Sequence, residues 1–194
     1  TRPTVLGQPL WQVPPAQLGL ENADTRAMVK WLETPDSAVF PLGDGFESGA
    51  IDGFQAVNLN FGDVLTFVGY TKSQTAISAT EPLELTLYWQ VGTEPMPQPA
   101  PTRGAPLSAF VHVVDGDPAV KVAEFDGWHT ALRGLEPGDI IAQHVTLNFA
   151  EEVAPKRYDL LVGLYSPQNW QRLTTVQDGE VRDYAMAGAI EVEP

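Results

Sequence analysis

Two short segments carry a tryptophan among polar side chains, outside any alternating pattern: Asp126-Gly127-Trp128-His129-Thr130 and Gln168-Asn169-Trp170-Gln171-Arg172. An indole ring can stack on the flat C–H face of a sugar. The sugar hydroxyls then need carboxylates, amides or guanidinium groups beside the ring. Asp126, Trp128 and His129 offer that mixture in one loop, and Asn169, Trp170 and Arg172 in the other. These six are the candidate ligand-binding residues. The plainer reading is that Trp128 and Trp170 plug the open ends of a folded layer structure.

Other chemistries have weaker signatures. Three histidines are present, His112, His129 and His144, none in His-x-x-x-His or His-Glu-x-x-His spacing. His112 alternates with Phe110 and Val114, which reads as a hydrogen-bonded core histidine rather than a ligand. Asp115 to Asp126 has the length of an EF-hand loop but carries Val120 at the glycine position and ends in Asp, so a hairpin is the better reading. No metal ligand set is assigned and no cofactor is expected; a structural Ca²⁺ held by loop carboxylates is the one exception kept open. A hydrolase would need two carboxylates across a cleft, and Glu124, Asp126 and Asp139 each have a plain turn or surface reading. There is no Gly-x-Ser-x-Gly elbow, no glycine-rich phosphate loop and no cysteine.

Composition narrows the partners. The 194 residues suffice for one well-cored domain, and 43% are hydrophobic, a globular value. Eleven Lys and Arg against 25 Asp and Glu give a formal net charge of −14. Nucleic acids and anionic membrane surfaces demand clustered basic residues, so neither is an expected partner. Without cysteine, disulfides and thiolate chemistry are excluded. No apolar run approaches the ~20 residues of a membrane-spanning helix, and no signal peptide is visible. The chain begins Thr-Arg-Pro, which suggests an excised or processed piece, with room upstream for any anchor or export signal.

The elements that must position the tryptophan loops are strands. Leu83, Leu85, Leu87, Trp89 and Val91 alternate with Glu84, Thr86, Tyr88 and Gln90, the period of two that marks a strand with one buried face. Phe61–Tyr70 reads as one strand apolar on both sides. Further strands are expected at 75–79, 109–114, 120–125, 140–149, 158–165, 172–176 and 187–192, with turns at Asp115-Gly116, Pro137-Gly138 and Asp178-Gly179. A proline-rich stretch, 94–106, reads as an exposed loop. About eight short strands without intervening helices predict an all-β fold, an antiparallel two-sheet sandwich of jelly-roll type. Residues 1–56 read as an irregular arm packed on the sandwich domain of residues 57–194. Asp24 would cap one short helix ending before Pro35, and Trp11 and Trp31 would pin the arm.

The order of segments is informative in combination: Phe61-Gly-Asp63, Val68-Gly-Tyr70, Leu85-Thr-Leu-Tyr-Trp89, Phe110-Val-His112 with Asp115, Asp126, Pro137-Gly-Asp139, Tyr158 with Val162-Gly-Leu-Tyr165, and Arg172-Leu173. Over about residues 57–192 this resembles the C-terminal β-sandwich domain of bacterial multi-spanning membrane glycosyltransferases of the protein-mannosyltransferase type, glycosyltransferase family 39. The chain departs from that pattern at Trp170, where a small residue is usual, and at Leu135, where an aromatic residue often precedes the Pro-Gly. The resemblance implies a non-catalytic, extracytoplasmic accessory domain tethered to a membrane-embedded part of the same polypeptide. It also implies contact with a glycan or acceptor, and it transfers no catalytic residues. The alternative is a structural or protein-interaction module without a ligand of its own, and a remote one is a glycoside hydrolase-like enzyme.

Overall fold

A computed structural model describes residues 4–5, 8–9, 37–40, 43, 46–74, 76–78, 80–96, 107–128, 132, 134–150 and 153–193. The strands are β1 (Thr4–Val5), β2 (Gln8–Pro9), β3 (Ser37–Phe40), β4 (Gln55–Phe61), β5 (Leu65–Lys72), β6 (Ala76–Ser78) and β7 (Leu83–Val91). They continue with β8 (Ser108–Asp115), β9 (Asp117–Asp126), β10 (Ile140–Leu147), β11 (Arg157–Tyr165), β12 (Thr175–Gln177), β13 (Glu180–Arg182) and β14 (Ala185–Glu193). Among the described residues the helical positions are Gly43 and a 3₁₀ turn at Ser48–Ala50. The helix expected within 24–33, both arm tryptophans, His129 and the loop from 97 to 106 lie outside the described residues.

Two five-stranded sheets, β3-β10-β7-β5-β4 and β6-β14-β11-β8-β9, face each other across one core. The fold is the expected all-β sandwich. Every pairing is antiparallel except β14 with β6, which is parallel. Alternation places Leu83, Leu85, Leu87, Trp89 and Val91 of the first sheet against Ala109, Val111, Val113, Leu160, Val162 and Leu164 of the second. Each such side chain, fully removed from water, contributes roughly 1.5–3 kcal/mol for the larger aliphatic and aromatic types. Trp89 sits at the centre, with Phe67 and Phe61 at 4.8 and 6.0 Å between ring centroids.

Phe61–Tyr70 is a hairpin rather than one strand. Gly62 and Asp63 both take left-handed backbone angles, φ 62° and 57°, in the three-residue loop 62–64 left by the pairing of Phe61 with Leu65. The Asp63 N–H donates to Asn60 Oδ1 at 2.7 Å and holds the turn. The outer face of the first sheet carries a second apolar patch, in which Phe46, Ile51 and Phe54 pack on Tyr88, Ile140 and Ala142. The third strand, drawn from the stretch read as an arm, pairs with β10 at the edge of the same sheet.

Candidate functional site

The second sheet turns its β8, β9 and β11 face outward around a small cavity. Period two sends Ala109, Val111 and Val113 of β8 into the core and leaves Phe110 and His112 on the outer face. Register then sets their neighbours. Phe110 lies opposite Asp126 on β9 and Gly163 on β11, and His112 lies opposite Glu124 and Leu161. Gly163 is there for space. A methyl group at 163 would stand 2.3 Å from Phe110 Cζ and 2.5 Å from Cε1, so the Phe110 ring can lie over β11 only because that residue has no side chain.

Phe110 is the hub of an aromatic row. The His112 ring lies 4.7 Å away on one side, tilted by 31°. The Tyr165 ring lies 6.4 Å away, and Trp170 stacks on Tyr165 at 5.5 Å with the planes 12° apart. The Arg172 guanidinium sits over Phe110, 4.5 Å from its centroid, in the geometry of a cation–π contact. Trp170 is 74% exposed.

The loop from Ser166 to Gln171 delivers Trp170 to that position. Tyr165 and Arg172 bridge across its base, and the Leu173 N–H donates to the Leu164 carbonyl at 2.9 Å. Within the loop the Trp170 N–H donates to the Ser166 carbonyl at 2.8 Å, and the Gln171 N–H to Asn169 Oδ1 at 3.0 Å. Asn169 thus shapes the turn. Trp170 itself has φ 62°, a left-handed conformation that costs a residue with a side chain about 1–2 kcal/mol. A large ring held out in water on a strained backbone is a local expense that packing does not explain.

The cavity measures about 250 Å³ and is lined by Phe110, His112, Lys121, Asp126, Tyr165, Trp170 and Arg172. A larger cleft of about 430 Å³ runs along Ser48–Phe54, but it is bounded by that one segment and Asp52 is its only charged residue. The chemistry gathers at the smaller one. There the Lys121 ammonium pairs with Glu124, and this hydrogen bond lowers the Glu124 pKa. Burial, with the Glu124 charge beside it, raises that of Asp126. His112 is 6% exposed. Burial first, then the Lys121 charge, lowers its pKa to about 4, so the ring is neutral at physiological pH. Its Nε2 has no hydrogen-bond partner and faces Glu124 Oε2 at 3.8 Å and Asp126 Oδ1 at 3.9 Å, both too long for hydrogen bonds.

Of the six residues singled out from the sequence, Asp126, Trp170 and Arg172 meet at this cavity. Trp128 does not join them. On a continuous strand it would share the face of Asp126, but Gly127 takes φ 135° and breaks the alternation. Trp128 therefore packs on the core, its ring edge-to-face with Trp89 at 5.7 Å and its Nε1 buried without a partner. Phe110, His112 and Tyr165 were not among the sequence candidates. The available signal was a glycine inside the apolar strand Leu160–Tyr165, which marks a close approach by a neighbour. His112 is buried as expected, yet not hydrogen-bonded as expected. His144 lies on the other sheet, 2.7 Å from Glu84. Asp139 is buried in the turn before β10, accepting from the Glu136 N–H at 2.8 Å, and takes no part in the cavity. Among the described residues no helix is long and apolar enough to cross a membrane.

Compared with known proteins, the chain matches no family model and no curated protein.

Proposed function

We propose that this domain is a non-catalytic carbohydrate-binding module, and that the cavity beside Trp170 receives a glycan. One observation carries the reading: Trp170 is held exposed, in a strained backbone conformation and stacked on Tyr165, at the rim of a cavity that bears Asp126 and Arg172. The indole face takes the apolar side of a pyranose ring. Asp126 accepts from sugar hydroxyls, and the Arg172 and Lys121 cations donate to them. A site of about 250 Å³ suits one or two sugar units and leaves the rest of a chain in solvent. The segments Leu85–Trp89, Phe110–Asp115 and Tyr158–Tyr165 support a further step by resemblance. The module then serves a membrane glycosyltransferase from outside the cytoplasmic membrane, presenting acceptor or product glycan to a membrane-embedded part of the same polypeptide.

Tryptophan fluorescence tests the first step. Titration with a binding oligosaccharide shifts the emission of an exposed Trp170 to the blue, and the shift is absent in Trp170→Ala. A shift that survives this substitution overturns the site. The intact coding sequence tests the second step. Several apolar spans of ~20 residues upstream support the tether, and a bare signal peptide contradicts it.

A second reading, protein docking, rests on a different surface. Val176 and Val181 face each other across the β12–β13 hairpin and are 61% and 70% exposed. Sedimentation analysis that finds only monomers, with no uptake of the membrane portion, argues against it.

A further inference from the structure

Beside the cavity, which His112 and Asp126 line, two carboxylates and an imidazole converge. Glu124 and Asp126 are two residues apart on β9 and so project from the same face. Across the ladder, β8 holds His112 directly opposite Glu124. The three ligand-type atoms, one from each side chain, all lie within 4.8 Å of one another. The histidine is the independent pointer. Its Nε2 is buried, aimed between the two carboxylates and unpartnered, and a buried polar atom left without a partner costs about 1–3 kcal/mol.

We propose that His112, Glu124 and Asp126 bind one divalent transition-metal ion of the zinc class. The inference does not depend on the glycan reading. A tetrahedral ion with bonds of about 2.0–2.2 Å sets its ligands roughly 3.4 Å apart. The observed 3.8 and 3.9 Å separations from Nε2 need an inward movement of about half an ångström. The carboxylates can supply it: their side chains are 49% and 42% exposed, while His112 is fixed against Phe110. An imidazole in the ligand set favours zinc, cobalt or nickel over calcium and magnesium, which prefer oxygen alone. Three protein ligands leave a position open toward the cavity. The Lys121 ammonium competes for Glu124, so this lysine sets how tightly the ion is held.

The test is titration of the purified, chelator-stripped domain with Zn²⁺, and with Co²⁺ as a spectroscopic probe, in millimolar Mg²⁺ to saturate the acidic surface. One ion per chain is expected, with a Co²⁺ absorption band that reports nitrogen ligation. His112→Gln and Glu124→Gln should each weaken binding by more than about 100-fold, beyond the roughly 10–100-fold lost with a group that only orients a ligand. Lys121→Met should tighten it. If His112→Gln does not fold, Glu124→Gln decides, because its side chain is half-exposed. Failure to bind one ion per chain, or equal binding by wild type and Glu124→Gln, overturns the proposal. A blank in the glycan experiments leaves these outcomes unchanged, so the two readings fail separately.

Discussion

Gly163 and Phe110 face each other across β11 and β8, and the missing side chain of one is the seat of the other's ring. The φ of Gly163 lies outside the left-handed region, so the requirement is steric and not conformational. Three of the groups that line the cavity lean on this pair. The rings of His112 and Tyr165 and the Arg172 guanidinium all lie against Phe110.

Gly163→Ala should therefore displace the Phe110 ring. The expected cost is about 1–3 kcal/mol, the usual range for one methyl forced into a packed site, together with loss of ligand binding. Phe110→Ala alone should cost about 3–5 kcal/mol by opening a cavity, and the double variant should lose less than the sum of the two single losses, since the clash is gone, without returning binding. Denaturant midpoints of the single and double variants measure this. Strictly additive losses would show that the two residues do not press on each other.

Trp170 is expected to serve binding at no benefit to the fold. Replacing it with Gly relieves about 1–2 kcal/mol of left-handed strain. The same change forfeits about 0.5–1.5 kcal/mol of stacking on Tyr165. Trp170→Gly should thus keep its unfolding midpoint within about 1 kcal/mol of wild type and lose ligand binding. A large destabilisation would make Trp170 a structural plug.

Trp128 should behave in the opposite way. Its ring packs edge-to-face on Trp89, and its N–H gains nothing from burial. Trp128→Phe keeps an aromatic contact and removes an unsatisfied donor, so it should cost less than about 1.5 kcal/mol. Trp128→Ala should cost about 3 kcal/mol or more by opening a cavity. Neither should change ligand contacts in a folded sample. Thermal unfolding and binding measured on the same preparations separate the two tryptophans.

Burial lowers the His112 pKa from 6.5 to about 4, so the folded chain refuses a proton that the unfolded chain accepts between those values. Stability from this group is complete above pH 6.5 and falls as the pH drops toward 4. From pH 7 to pH 5 the loss should be about 2 kcal/mol in metal-free protein. His112→Phe should lack this component. Urea midpoints of both proteins at the two pH values check it, and equal slopes would contradict it.

What the sequence revealed depended on whether one local rule governed the segment. Leu83–Val91 alternates cleanly, one face meets the core, and the strand was readable. Asp178-Gly179 has the turn chemistry of a two-residue hairpin, and it makes one. Phe61-Gly62-Asp63 carries a similar signal, but the apolar residues around it on both faces hid the turn. The site was half legible. Asp126, Trp170 and Arg172 announce themselves as members of two short segments that set a tryptophan among polar residues. Phe110 and His112 do not, because both faces of β8 are buried, and alternation cannot tell a core face from an outer face covered by neighbouring side chains. Trp128 turns to the core because one glycine at φ 135° reverses the side of the sheet to which it points.

A glycan-array screen of the purified domain, run beside Trp170→Ala and Trp128→Phe, tests the central claim most directly. The account predicts that wild type and Trp128→Phe bind the same glycan class and that Trp170→Ala binds none. A blank from folded wild-type protein, or undiminished binding by Trp170→Ala, would contradict it.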